Sequence, residues 1–299
     1  MSLLAQVKKG KIVKPYFITV FGSTGVGKSS LAADAPNPIF ACTEDGSDQL
    51  DVNRLPKIES YEQMEQAVTE LANTSHDFKT FVIDSIDHFE PILWAYVCKK
   101  NEWKTLEDGA YGKGYATANA QWIEFFSLLK KLREKMNVIL ICHQQVKSFN
   151  DPSKPAPYDR YELKIHKGAA ALVKENCDAL LFATYETVIN IDKTTKKAKA
   201  FGGEERVMYT EYRAHHDGKN RFGLPYQISL SWKAFDDAVK NSSPENMDAL
   251  LSQISGYLSK VNDEDIKQKA TAQVEAAKLA NDAAKLVTIK NRLIQITQE

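Results

Sequence analysis

One octapeptide constrains this chain more than any other feature. Gly22-Ser23-Thr24-Gly25-Val26-Gly27-Lys28-Ser29 satisfies the pattern G-x-x-x-x-G-K-[ST] at every restricted position. Its glycines let successive backbone N–H groups curl around phosphate oxygens. The helix that follows offers unpaired N–H groups and the positive end of its dipole to the same anion. Such a loop requires a strand before it and a helix after it. Residues 16–21 (YFITVF) are a β-rich apolar run, and residues 29–35 read as a helix stopped by Pro36 and Pro38. The loop is therefore expected to bind nucleotide through Gly22, Ser23, Thr24, Gly25, Val26, Gly27, Lys28, Ser29 and Ser30. Lys28 should bridge the β- and γ-phosphates of ATP, and the Ser29 hydroxyl should ligate Mg²⁺.

The rest of the chain alternates short apolar runs with helical patterns. Strands are expected at 38–43 (PIFACT), 81–83 (FVI), 138–142 (VILIC) and 179–184 (ALLFAT). Helices are expected at 61–73, 89–97, 119–136 and 168–176. The first of these carries Met64, Ala67, Val68 and Leu71 at i, i+3, i+4, i+7 spacing. Strands that are continuously apolar, and separated by helices, predict a mostly parallel sheet buried on both faces. After Thr184 the pattern changes. Two β-like runs, 188–191 and 207–212, flank a polar segment as in a long hairpin, and 226–232 (YQISLSW) reads as a last strand. From Pro244 the chain is helical, with one helix around Leu250, Ile254 and Leu258 and a second over 263–297. The expected organisation is a basic N-terminal segment (1–15), an α/β core (16–240) and a helical C-terminal extension (241–299).

Two carboxylates are candidates for chemistry. Asp84 ends the apolar strand 81–83, where a P-loop protein needs an acid to hold Mg²⁺. Glu44 follows the strand 38–43 and should stand at the carboxyl end of the sheet beside the γ-phosphate, to orient water. Asp45 competes for the same role.

With these pieces in order, the chain resembles the RecA-like recombinase ATPases, and most of all the phage-encoded RecA-like proteins of single-strand annealing and recombination. The resemblance spans about 16–232 and rests on the phosphate loop, Glu44, Asp84, VILICHQQ (138–145) and GKNRFGLP (218–225). It implies a RecA-like P-loop core with a C-terminal hairpin region and helical tail. It also implies that Gln144 senses the γ-phosphate, with Gln145 as the register alternative. His143 is read either as a hydrogen-bonded structural residue or as a pH-tunable side chain near phosphate. By the same resemblance, Lys219 and Arg221 reach in trans to the ATP of a neighbouring subunit, so a homo-oligomer, filament or ring, is implied. Two segments match the family's DNA loops. The first carries Lys99, Lys100, Trp103, Lys104, Lys113 and Tyr115; the second carries Lys147, Phe149, Arg160, Lys164 and Lys167. Cations interleaved with rings suit single-stranded DNA. A single-strand binding protein is a further partner of such a system. The short N-terminal segment, with Lys8, Lys9, Lys11 and Lys14, leaves no room for the separate oligomerisation domain of some recombinases.

Composition narrows the field. Of 299 residues, 39 are Lys or Arg and 39 are Asp or Glu, so the net charge of zero gives no global attraction to nucleic acid or anionic membrane. The four cysteines form no CxxC pair and read as reduced thiols. No apolar leader and no membrane-length window occurs, which predicts a cytoplasmic protein, in the bacterial host if phage-encoded. Competing functions are a ring helicase or translocase, a regulatory ATPase acting on a protein partner through its C-terminal helices, and a small-molecule kinase. The kinase lacks an Arg-rich lid.

Overall fold

A computed structural model describes residues 3–7, 9, 12–46, 48–191, 198–242, 244–261, 263–279 and 282–298. Lys8, Lys11 and the middle of the polar segment after Thr184 lie outside them. In chain order the elements are β1 (Phe17–Gly22), α1 (Lys28–Ala33), β2 (Pro38–Cys42), β3 (Asn53–Arg54), α2 (Tyr61–Asn73), β4 (Thr80–Asp84), α3 (Ile86–Lys100), α4 (Lys113–Leu132), β5 (Asn137–Phe149), β6 (Tyr158–Leu163), α5 (Lys167–Asn176), β7 (Ala179–Ile191), β8 (Ala198–Tyr209), β9 (Lys219–Asn220), β10 (Gln227–Ser229), α6 (Trp232–Asn241), α7 (Pro244–Leu258), α8 (Glu264–Leu279) and α9 (Ala283–Gln298).

Among the described residues the strands form one sheet, ordered β10-β8-β7-β1-β5-β4-β2-β3. Its centre is parallel: β1 lies between β5 and β7, and β4 between β5 and β2. The hairpin of β7 and β8, and β10 beyond it, add an antiparallel flank. This is the RecA-like P-loop arrangement expected from the sequence. Period-2 alternation sends both faces into apolar cores. Phe17, Phe21, Phe81, Ile83, Val138 and Leu140 face α2 to α5. Ile18, Val20, Val82, Ile139 and Ile141 face α1 and α6.

Local chemistry accounts for most boundaries. Ser60 and Gln63 form a reciprocal capping box that starts α2 at the expected residue. Helix α4 begins six residues before the expected 119, in a stretch where Gly112 and Gly114 argue against a helix. Gly114 is demanded by packing, because a Cβ there would stand 1.8 Å from the Leu106 carbonyl oxygen. The expected strand 226–232 is shorter and gives way to a helix. Ser231 Oγ accepts from the Ala234 N–H at 3.1 Å and caps α6, which buries Trp232, Phe235 and Ala238 at helical spacing. Burying a side chain such as Phe235 contributes about 1.5–3 kcal/mol, enough to decide between the two structures. The long helix expected over 263–297 is two helices. Asp282 interrupts it, its carboxylate accepting from the Lys285 N–H at 2.9 Å at the start of α9. Helices α7 to α9 share a cluster of their own, with Ile254, Ala277, Leu286 and Leu293 buried in it. No described helix is long and apolar enough to cross a membrane.

Candidate nucleotide site

The phosphate loop joins β1 to α1 at the carboxyl edge of the sheet. Gly27, the residue before α1, has φ of 110°, a left-handed conformation that glycine adopts without strain. The Tyr185 hydroxyl, on β7, donates to the Gly25 carbonyl at 3.1 Å and pins the loop from the hairpin side. Lys28 is buried, and its ammonium donates to the carbonyls of Gly22 at 3.1 Å and Ser23 at 2.9 Å. Burial pulls its pKa below the ordinary lysine value, against the opposing charge of Asp84.

Three neighbouring strand ends complete the site. Ser29 Oγ donates to Asp84 Oδ2 at 2.7 Å. Burial raises the Asp84 carboxyl above its usual range, with the Ser29 hydrogen bond opposing it. Thr43, after β2, is tied to the end of β4: its N–H donates to the Asp84 carbonyl at 2.9 Å, and its hydroxyl donates to the Ser85 carbonyl at 2.8 Å. Glu44 is thereby held over the loop. It lines a cavity of about 250 Å³ together with Gly27, Lys28, Ser29, Asp84 and Arg206. Asp45 instead pairs with Lys57 at 2.6 Å and lies outside that lining.

Beside it opens a cavity of about 610 Å³, which Ser23, Glu44, His88, His143, Gln144 and Gln145 help to line. The Gln145 side-chain amide donates to the Leu163 carbonyl of β6 at 2.6 Å. His143 is fixed by Asp87: its ring Nδ1 lies 2.9 Å from Asp87 Oδ2, and its backbone N–H donates to Asp87 Oδ1 at 3.0 Å. Burial alone would raise the Asp87 carboxyl; the bonds from His143 hold it well below the usual carboxylate range instead.

The residues fit a Mg²⁺-nucleotide. The glycine-bearing loop and the buried Lys28 match polyphosphate, and the Ser29–Asp84 pair is the hydroxyl and carboxylate that hold the ion in P-loop proteins. A family model described as an AAA domain matches residues 14–222, more than half of the chain. The chain belongs to the AAA domain family. It carries an AAA-type P-loop domain. The SPbeta prophage-derived uncharacterized protein YorG of Bacillus subtilis (strain 168) is 23% identical over 222 residues, covering 71% of this chain and 62% of that protein. The chain thus spans less than two thirds of that relative's length. The crystal structure of the RadB recombinase aligns with a TM-score of 0.37 and 13% identity, over 69% of this chain and 85% of that one.

Lys219 and Arg221 do not join this AAA site in their own chain. Lys219 pairs with Leu180 near the start of β7, whereas Gly22 pairs with Ala183 further along it. The Lys219 ammonium donates to the carbonyls of Lys174 at 2.5 Å and Glu175 at 3.1 Å, at the end of α5. Arg221 stands half-exposed, 3.7 Å from Asp178. Besides Lys28, the cation that lines the phosphate cavity is Arg206, on β8. It sits in an Arg-bearing strand with no motif around it, so only the pairing of β7 with β8 brings it to the loop.

The segments read as DNA loops are largely regular structure. The second is a ribbon in which β5 continues past the parallel sheet and pairs antiparallel with β6, from Gln144 opposite Leu163 to Phe149 opposite Tyr158. The first is the end of α3, two short 3₁₀ turns and the start of α4. Lys99, Lys100, Lys104, Lys113, Lys147, Lys164 and Lys167 are exposed. Trp103 and Tyr115 are half-buried and pack against the core. Arg160 corrects the expectation of a DNA contact. It is 3% exposed, donates to Asp217 at 2.8 Å, and lies 4.8 Å from the centre of the Phe149 ring and 4.7 Å from that of Tyr212. It and Phe149 therefore serve the ribbon's own packing. The two segments meet where Tyr115 stacks on His166, with ring centres 4.8 Å apart. Burial lowers the His166 pKa, and the charges of Lys167 and Lys147 lower it further.

Proposed function

We propose that this chain is an ATP-dependent DNA recombination protein that binds single-stranded DNA. Glu44 orients the water that attacks the γ-phosphorus, the bond to the β-phosphate oxygen breaks, and ADP and phosphate leave. Lys28 and the loop's N–H groups take up charge on the phosphate oxygens, and Ser29 and Asp84 would hold Mg²⁺, which would neutralise further charge. Arg206 adds a cation from the same chain. Lys219 and Arg221 act, on this reading, in the site of a neighbouring copy, so the working form is an oligomer.

The observation that carries the proposal is the continuity of β5. One strand places His143 and Gln144 beside the phosphate loop and then runs outward into the ribbon that bears Lys147. A change at the γ-phosphate can therefore move the ribbon directly. Next to it Lys167, Tyr115 and His166 supply the cations and rings that suit an unpaired strand.

The test is the ATPase rate with and without single-stranded DNA, at one stated salt concentration. The expected result is several-fold stimulation by DNA, with Lys28→Ala lowering the stimulated rate by about 10²-fold or more, and Arg206→Ala by about 10²-fold. A rate indifferent to DNA would sink the DNA-dependent reading and leave a regulatory ATPase with a protein partner.

A further inference from the structure

A second group of ligating side chains lies beside the Ser29–Asp84 pair and has a different chemistry. Glu44, His88 and His143 each offer one ligand atom, and these three atoms all lie within 4.8 Å of one another. We infer that they form a binding site for a borderline divalent cation of the Zn²⁺ class, separate from the Mg²⁺ position.

Three observations support this. The donor set is two imidazoles and one carboxylate, which suits Zn²⁺, Co²⁺ or Ni²⁺; Mg²⁺ prefers oxygen ligands alone. The spacing is close to what coordination needs. Tetrahedral bonds of about 2.0–2.1 Å put ligand atoms roughly 3.4 Å apart. Glu44 Oε2 and His88 Nδ1 are 3.4 Å apart. With every separation within 4.8 Å, none must shorten by more than about 1.4 Å on this geometry. His88, with 43% of its side chain exposed, makes that movement by giving up the 2.9 Å contact of its Nδ1 with Ser85 Oγ.

The third observation is the support behind the ligands. His143 Nδ1 faces the Asp87 carboxylate at 2.9 Å, the carboxylate–histidine arrangement that fixes a ring and leaves Nε2 with its lone pair for a metal. Asp87 also accepts from the His143 backbone N–H, so the ring and its strand are held by one carboxylate. The three ligands also line the 610 Å³ cavity, which gives a cation and its waters a way in.

A cation held here engages the carboxylate that the proposed mechanism uses to orient water. The consequence is an ATPase arrested by Zn²⁺ and released by a chelator. That consequence rests on the role proposed for Glu44; the binding site does not.

The experiment uses the untagged full chain, without nucleotide and with excess Mg²⁺, titrated with Co²⁺ while its visible d–d absorption is read. The expected result is one Co²⁺ per chain, displaced by Zn²⁺, with the signal lost in His88→Ala and in His143→Ala. His88→Ala alters a half-exposed side chain, and an unchanged thermal melt shows that it is folded. Asp87→Asn, a change behind the ligands, should weaken binding by about 10–100-fold without abolishing it. Absence of the Co²⁺ signal in the wild type, or its survival in folded His88→Ala, would overturn the site. If Co²⁺ binds as expected but the chain does not turn over ATP, the hydrolysis reading fails and the metal site stands.

Discussion

The phosphate site and the β5–β6 ribbon leave the same edge of the sheet, yet their charged residues are placed by different means. At the phosphate site, Gly22, Glu44 and Asp84 each stand at or just after the end of a parallel strand. Parallel register brings such ends together whatever the intervening sequence. In the ribbon, the environment of Arg160 is set by a segment far along the chain. Residues 210–217 return against β6, where the Tyr161 N–H donates to the His215 carbonyl at 2.8 Å. That return buries Arg160 between Tyr212, Phe149 and Asp217, while Lys147, directly opposite it in the register, stays exposed. Charge that converges by topology is legible locally. Charge that is buried by a distant segment is not.

Arg160→Ala gives the largest effect that separates the two. It leaves Asp217 buried with Lys174 as its remaining cation, at 2.8 Å. Breaking a buried pair in this way typically costs about 3–5 kcal/mol, and the Lys174 contact places the loss near the lower end. Urea unfolding measures it. If the variant is as stable as wild type but binds single strands weakly, Arg160 belongs with the exposed lysines and the distinction collapses.

Glu90 lies between the two regions, on α3 one turn beyond Asp87. Both of its carboxylate oxygens accept from the His166 backbone N–H, at 2.9 and 3.1 Å, just before α5. Burial pushes its pKa up to about 7 from 4.5, with the His166 N–H opposing the shift. In the unfolded chain the carboxyl ionises near 4.5, so between about 4.5 and 7 the unfolded state binds fewer protons than the folded one. Stability from this group is therefore greatest at low pH and falls as pH rises through that window, by about 3 kcal/mol in all. Glu90→Gln keeps an acceptor for the N–H and removes the titration. Thermal melts between pH 5 and 8 should show a flatter profile in the variant, with the gain over wild type confined to the alkaline end. Equal slopes would show that Glu90 is not held neutral.

How much of this was legible follows from the same contrast. The phosphate loop, Asp84 and the mostly parallel character of the sheet could be read because each needs only a local pattern. Glu44 was legible as a strand-end acid, but its separation from Asp45 is a matter of the Asp45–Lys57 pair, which no local pattern announces. Arg206 carried no signal at all, since its position depends on the hairpin register. The helix over 232–241 was legible in principle, because Ser231 followed by Trp232, Phe235 and Ala238 is a cap with a helical stripe. The aromatic residues drew the reading toward a strand instead. Gly112 and Gly114 hid the start of α4 for the opposite reason: a left-handed N-cap at Gly112, with φ of 77°, and a packing demand at Gly114 place residues of low helix propensity there.

The smallest effect tests the exposed side of the comparison. Lys147 and Lys167 are both exposed, and their charges both act on His166, so they lie close together beside the Tyr115–His166 stack. If they contact phosphates of a single strand, each contact contributes about 0.7 to the slope of log affinity against log salt. Lys147→Ala combined with Lys167→Ala should therefore reduce the magnitude of that slope by about 1.4, with the affinity loss fading as salt rises. Surface lysines of this kind carry little folding energy, so urea unfolding should shift by less than about 1 kcal/mol. Fluorescence anisotropy on a labelled oligonucleotide across a salt series reads the slope directly. An unchanged slope would remove this patch from the DNA path, and the β5 ribbon would then couple the nucleotide to something other than nucleic acid.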